Sequence, residues 1–224
     1  MKGLLTGLMV FAAPLAAQSV QARLEGRVPA ASIPVIDSLV QVAAREDLPT
    51  DPLVQKAIEG GAKRVSGERI VKAVGLNLDQ LRRAQALLRR AGDSPPATPG
   101  EVITVATAQK RGLSDAEVER VVAALPNEPR GAALHAVADL VAHHFDADSG
   151  TDLVLAAVRE GVRGERLLDV SSAAAQEVQR GRTRAEALAL VRRELPNVPP
   201  PPPPTRATVQ RARRPAATGQ QPER

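Results

Sequence analysis

From residue 33 to residue 195 the chain carries helix signals and no strand signals, which restricts it to an all-α fold. No run of β-branched residues alternates with polar ones, so no segment offers a sheet a half-buried face. Apolar residues recur instead at three- and four-residue steps, between residues that start and stop helices. The pattern predicts nine helices, at about 33–46, 51–62, 67–91, 100–111, 115–125, 130–145, 150–161, 164–180 and 184–195.

Several starts carry a mechanism. Ser114-x-x-Glu117 and Thr183-x-x-Glu186 read as capping boxes, in which hydroxyl and carboxylate each satisfy an orphan backbone N–H. Ser149-x-x-Asp152 is a weaker version of the same pattern. Thr50 is placed to cap a helix with Pro52 in its first turn, where a missing N–H costs little. Gly92 with Pro95 and Pro96, then Gly112, Pro126 and Pro196, supply the stops.

The long helix at 67–91 has a seam. Val71, Val74, Leu78, Leu81 and Leu88 fall at alternating three- and four-residue steps, with Gln85 filling the gap. So short a heptad stretch rarely sustains a free coiled coil, so packing within the chain is expected, with a dimer seam as the alternative.

The hairpins partly repeat. Leu48-Pro49, Leu113-Ser114 and Ser149-Gly150 each open a helix. Gly67-Glu68-Arg69-Ile70-Val71 and Gly164-Glu165-Arg166-Leu167-Leu168 then start the next helix in the first and third cases. The irregular spacing indicates two or three degenerate helix–turn–helix hairpins rather than a repeat array. Ala-rich faces let helices approach closely, so a compact stack of hairpins is the expected packing.

The two ends differ from this body. Lys2, an uncharged apolar stretch over 4–17 and small residues after it read as an export signal over 1–22. Cleavage after Ala17 or after Ala22 both fit; Val20 at the −3 position favours Ala22. The apolar run is shorter than the ~20 residues a membrane span needs, and no later segment is long and apolar enough. The expected location is therefore periplasmic or secreted. Cysteine is absent, which removes lipidation and disulfides. Six prolines at 199–204 predict a stiff polyproline II rod, and the basic segment after it lacks apolar residues to bury. The expected division is a signal at 1–22, a helical domain at 23–195 and a disordered tail at 196–224.

Charge follows the same division. The chain is formally +5, of which the tail supplies +4 and Lys2 one more, leaving residues 3–195 balanced. Arg206, Arg211, Arg213 and Arg214 of the tail are thus candidate contacts for an anionic envelope polymer or lipid head groups. Phe145 is the only aromatic residue after the signal. Single-stranded nucleic acids are gripped by aromatic stacking, so nucleic acid is not an expected partner.

Recognisable chemistry is sparse. His135, Asp139 and His143 fall at i, i+4 and i+8 on one helix, with Asp146 just beyond, a residue set suited to zinc or another divalent ion. A solvated polar face explains the same spacing, because Leu134, Val137, Leu140, Val141 and Phe145 form the apolar arc. The outer two positions are also ~12 Å apart along a helix axis. Asp146-x-Asp148-x-Gly150-x-Asp152 starts like a calcium loop, but glycine falls at position five and Ala157 at position twelve, where an EF-hand needs glutamate. Gly161-Val162-Arg163-Gly164 is a literal GxxG without the sheet that a nucleic-acid-clamping KH loop requires. No nucleophile elbow, zincin motif, P-loop or dinucleotide fingerprint is present, and no cofactor is expected. The arginine-over-lysine and alanine bias points to a GC-rich bacterial source. The expected function is that of an exported, non-catalytic helical protein of the bacterial cell envelope, an interaction or scaffold module for a protein or anionic polymer. The alternative is a metal-binding protein or metal-dependent enzyme using His135, Asp139 and His143.

Overall fold

Helix ends, more than helix interiors, set this architecture. The computed structural model describes residues 19–92 and 95–195. Residues 1–18, most of the segment expected as an export signal over 1–22, and the tail from residue 196, with its arginines, lie outside the described residues. Those described form ten α-helices and one short 3-10 turn, with no strand among them. They are α1 (Val20–Leu24), α2 (Ile33–Arg45), α3 (Asp51–Ala62), α4 (Gly67–Ala91), α5 (Pro99–Gln109), α6 (Asp115–Ala124), α7 (Gly131–Ala142), α8 (Ala147–Arg159), α9 (Arg166–Gln179) and α10 (Arg184–Glu194). The 3-10 turn spans Ala30–Ser32.

Six of these helices end in the same way. After α2, α3, α5, α7, α8 and α9 one residue turns left-handed: Asp47, Arg64, Gly112, His144, Gly161 and Gly181 respectively. The N–H of the next residue returns to a carbonyl five residues back. The pairs are Leu48 to Ala43, Val65 to Gly60, Leu113 to Ala108, Phe145 to Leu140, Val162 to Ala157 and Arg182 to Glu177, at 2.9–3.2 Å. This is the Schellman arrangement, which satisfies carbonyls a helix end would leave unpaired. Leu48, Leu113, Phe145 and Val162 are buried, so each such turn also plugs an apolar side chain into the core. The turn thereby fixes where the next helix starts.

α4 is the hub of the N-terminal half, packing against α2, α3, α5 and α6. α7 has the same role further on, against α5, α8 and α9, while α8 and α9 both hold α10. One continuous core runs from Leu24 to Leu195. The α4 seam is spent inside the chain. Val74, Leu78, Leu81 and Leu88 are buried, and Gln85 donates to the carbonyls of Glu46 and Asp47 at 3.4 Å each. Asn77, also buried, donates to the Pro52 carbonyl at 3.2 Å and accepts from Lys110 Nζ at 2.9 Å, tying α3, α4 and the end of α5 together. Burial lowers the pKa of Lys110 in that position.

Two features hold the segments around α4 in place. Gly61 of α3 lies directly on the backbone of the α1–α2 connection, so a Cβ there would stand 1.8 Å from the Arg27 carbonyl oxygen. Arg130, 1% exposed, precedes α7 and reaches back to the α4–α5 connection. Its Nη1 donates to the Gly92 carbonyl at 2.7 Å and its Nη2 to the Pro95 carbonyl at 2.9 Å. The buried carboxylate of Glu101 lies 3.6 Å from its Nε.

Some local expectations need correcting. Ser149 does not cap α8. It lies inside the helix, and its N–H and hydroxyl both donate to Asp146, the true N-cap, at 2.9 and 2.7 Å. Thr50 occupies the N-cap of α3 without a side-chain cap bond. α5 begins one residue early, because Thr98 and Glu101 form a capping box around Pro99. α1 was not expected. Its Ser19 hydroxyl accepts the Ala22 N–H at 3.2 Å, and Leu24 enters the core.

Candidate functional site

The three positions proposed for a metal lie on or just after α7, and the structure gives each a different setting. His135 is exposed, with Nδ1 3.1 Å from Oγ1 of Thr104 on α5. Asp139 lies one turn on, and its Oδ1 is 3.7 Å from Nε2 of His143. His143 is the C-cap of α7 rather than part of its body, because the helix closes at Ala142. His135 and Asp139 share a shallow groove of about 200 Å³ with Thr104, Thr107 and Arg111. Among the described residues no three His, Asp or Glu side chains come close enough to hold one metal ion.

The aspartates that follow are helical. Asp146 caps α8, and its carboxyl is held below the usual range by the hydroxyl and N–H of Ser149. Asp148 and Asp152, one turn apart on α8, both accept from the guanidinium of Arg120 on α6. These pairs keep Arg120 firmly charged. The calcium-loop spacing is therefore a helix start plus an inter-helix ion-pair fork. Gly161 and Gly164 take left-handed backbone in the α8–α9 connection. Arg163 between them donates to Glu128 at 2.8 Å, so this GxxG is a tethered turn.

A stronger charge feature lies in the N-terminal half of the described residues. The α3–α4 turn opens a cleft of about 790 Å³ lined by Lys63, Arg64, Val65, Ser66, Glu68, Arg69 and Lys72. The Schellman turn at Arg64 creates it by swinging α4 back across the end of α3. Lys63 is engaged with Glu59 at 2.5 Å, and Lys56 meets the same carboxylate at 3.0 Å. Those two hydrogen-bonded ammonium groups pull the Glu59 pKa down to about 2. Arg64, Arg69 and Lys72 are exposed and have no acid partner among the described residues. The continuing face of α4 presents Leu76, 55% exposed, then Asp79 and Arg83. Asp79 is taken by Arg82 at 3.1 Å, whereas Arg83 is exposed without an acid partner among the described residues.

The charge division behind this cluster was legible in the sequence but missed. A whole-body charge sum of zero hides a strong division. Residues 19–92 hold twelve Lys and Arg against eight Asp and Glu, while residues 93–195 hold twelve against sixteen. The N-terminal part is thus +4 and the C-terminal part −4.

No protein-family model, curated protein or solved structure matches this chain.

Proposed function

We propose that this chain is an exported, non-catalytic helical module of the bacterial cell envelope, acting by contact with a protein or an anionic polymer. The observation that supports it most is the charge division of the body, +4 over residues 19–92 and −4 over 93–195. Separated charge of this kind steers and orients partners without any chemistry at the surface. The signal-like pattern over residues 1–22 supports export, and the +4 tail adds a second basic element to the same chain.

The test is fractionation of a bacterium expressing the full chain with a C-terminal epitope, followed by cross-linking in intact cells. The expected result is a shortened protein in the periplasm or medium, cross-linked to an envelope component. Full-length protein retained in the cytoplasm would overturn the reading.

A further inference from the structure

We infer that the cationic face running from the α3–α4 turn along α4 is a docking track for a linear polyanion carrying closely spaced phosphate groups. The inference rests on the contact-module reading and names its partner. Four cations without acid partners among the described residues line the track: Arg64, Arg69 and Lys72 at the cleft, then Arg83. Glu68 is the one acid in the cleft wall. Asp79, the acid further along, is already engaged by Arg82.

Shape and chemistry favour an extended ligand. Arg69, Lys72, Leu76, Asp79 and Arg83 succeed one another at three- and four-residue steps, so they share one side of α4. From Arg69 to Arg83 the track runs ~21 Å along the axis, far more than one phosphate spans. Guanidinium groups bind phosphate oxygens through paired N–H donors, and three of the four cations are arginine. A membrane surface fits less well. Interfacial helices bury a broad apolar face, whereas Leu76 is the only large apolar side chain exposed on described α4. Bases would find no aromatic platform on this body either.

The experiment uses the full chain and long-chain polyphosphate at about 50 mM salt. Three variants are compared with wild type. The track variant carries Arg64→Gln, Arg69→Gln, Lys72→Gln and Arg83→Gln. A matched control carries Arg111→Gln, Arg159→Gln, Arg192→Gln and Arg193→Gln, the same charge loss from exposed positions elsewhere. A tail variant carries Arg206→Gln, Arg211→Gln, Arg213→Gln and Arg214→Gln. The track variant is expected to bind at least tenfold more weakly and to lose about 2–3 from the slope of log affinity against log salt. The matched control should change affinity less than threefold, and the tail variant should stay sensitive to track substitutions made on top of it. Helical circular dichroism checks that the track variant folds, as its exposed, unpaired side chains require. Equal binding by the track variant and wild type overturns the inference, as does binding confined to anionic phospholipid vesicles. A track that binds polyphosphate in a chain never exported would sink the envelope reading and leave this one standing.

Discussion

At the scale of single residues, two glycines on neighbouring helices predict opposite signs. Gly61 and Gly75 are both helical, and glycine in a helix costs ~0.5–1 kcal/mol relative to alanine. Nothing lies within 4 Å of a Cβ built on Gly75, so Gly75→Ala should stabilise by about that amount. A Cβ on Gly61 would stand 1.8 Å from the Arg27 carbonyl oxygen, and backbone cannot swing aside like a side-chain tip. Gly61→Ala should therefore destabilise by about 2–3 kcal/mol through forced separation of α3 from the α1–α2 connection. Paired urea titrations test both; a stabilising Gly61→Ala would refute the close approach. Arg130 makes a second residue-scale case. Arg130→Met leaves the Gly92 and Pro95 carbonyls and the Glu101 carboxylate without their buried partner. A loss of about 3 kcal/mol is expected, which lowers Tm by roughly 6–12 °C for a domain this size. Adding Glu101→Gln should recover part of the loss, because it removes the stranded charge. No recovery would mean that the two carbonyls, and not the ion pair, carry the cost.

At the scale of elements, the sequence was most readable where local chemistry decides. The ends of α3 and α4 fall on the expected residues, because a proline or glycine start and a polar turn suffice to mark them. The turns after α2, α3 and α7 were harder, since Asp47, Arg64 and His144 adopt a left-handed backbone that glycine normally announces. α1 was unreadable because its five residues are stabilised by tertiary contact, Leu24 in the core and Arg23 on Asp51 at 2.8 Å. That contact bears on export. Cleavage after Ala22 would remove the Ser19 cap and most of α1, whereas cleavage after Ala17 leaves both. Under the proposed export, the processed chain is therefore expected to begin at Gln18, checked by intact mass and N-terminal sequencing; a start at Arg23 would show that α1 is dispensable. Elements also respond to acid. The pKa of Glu59 falls from its usual 4.5 to about 2 because Lys63 and Lys56 bond the charged form. The stabilisation is thus complete above pH 4.5 and disappears as pH falls toward 2. Glu46, Glu177 and Glu186 shift in the same direction, through Arg82, Arg182 and Thr183 first. Tm should fall across that window, and Glu59→Gln should flatten the fall only slightly, since the pair is exposed and screened. A variant as acid-sensitive as wild type at low salt would remove Glu59 from the account.

At the scale of the whole molecule, the all-α class was legible because helix periodicity never gave way to alternation, and the seam of α4 named its buried face in advance. The α3–α4 track was not, because a charge sum has no position and only the Schellman turn at Arg64 brings the two halves of the track together. The boundary of the folded unit tests this whole-molecule view most directly. The core of the described residues extends to Leu195, which is 4% exposed after α10. Beyond it, residues 196–224 offer only Val198 and Val209 as sizeable aliphatic side chains, against nine prolines and five arginines. Apolar area drives burial, so the two sides of this boundary should differ sharply in thermal stability. A chain ending at Leu195 is expected to melt within about 2 °C of the full protein, a shift of under 1 kcal/mol. A chain ending at Glu194 loses one buried leucine, and large-to-small losses of that kind cost ~2–5 kcal/mol, or roughly 4–20 °C at this size. Two truncations one residue apart should therefore bracket a step in Tm. A gradual decline over several residues either side would show that the tail contributes packing, and that the helical stack does not end with α10.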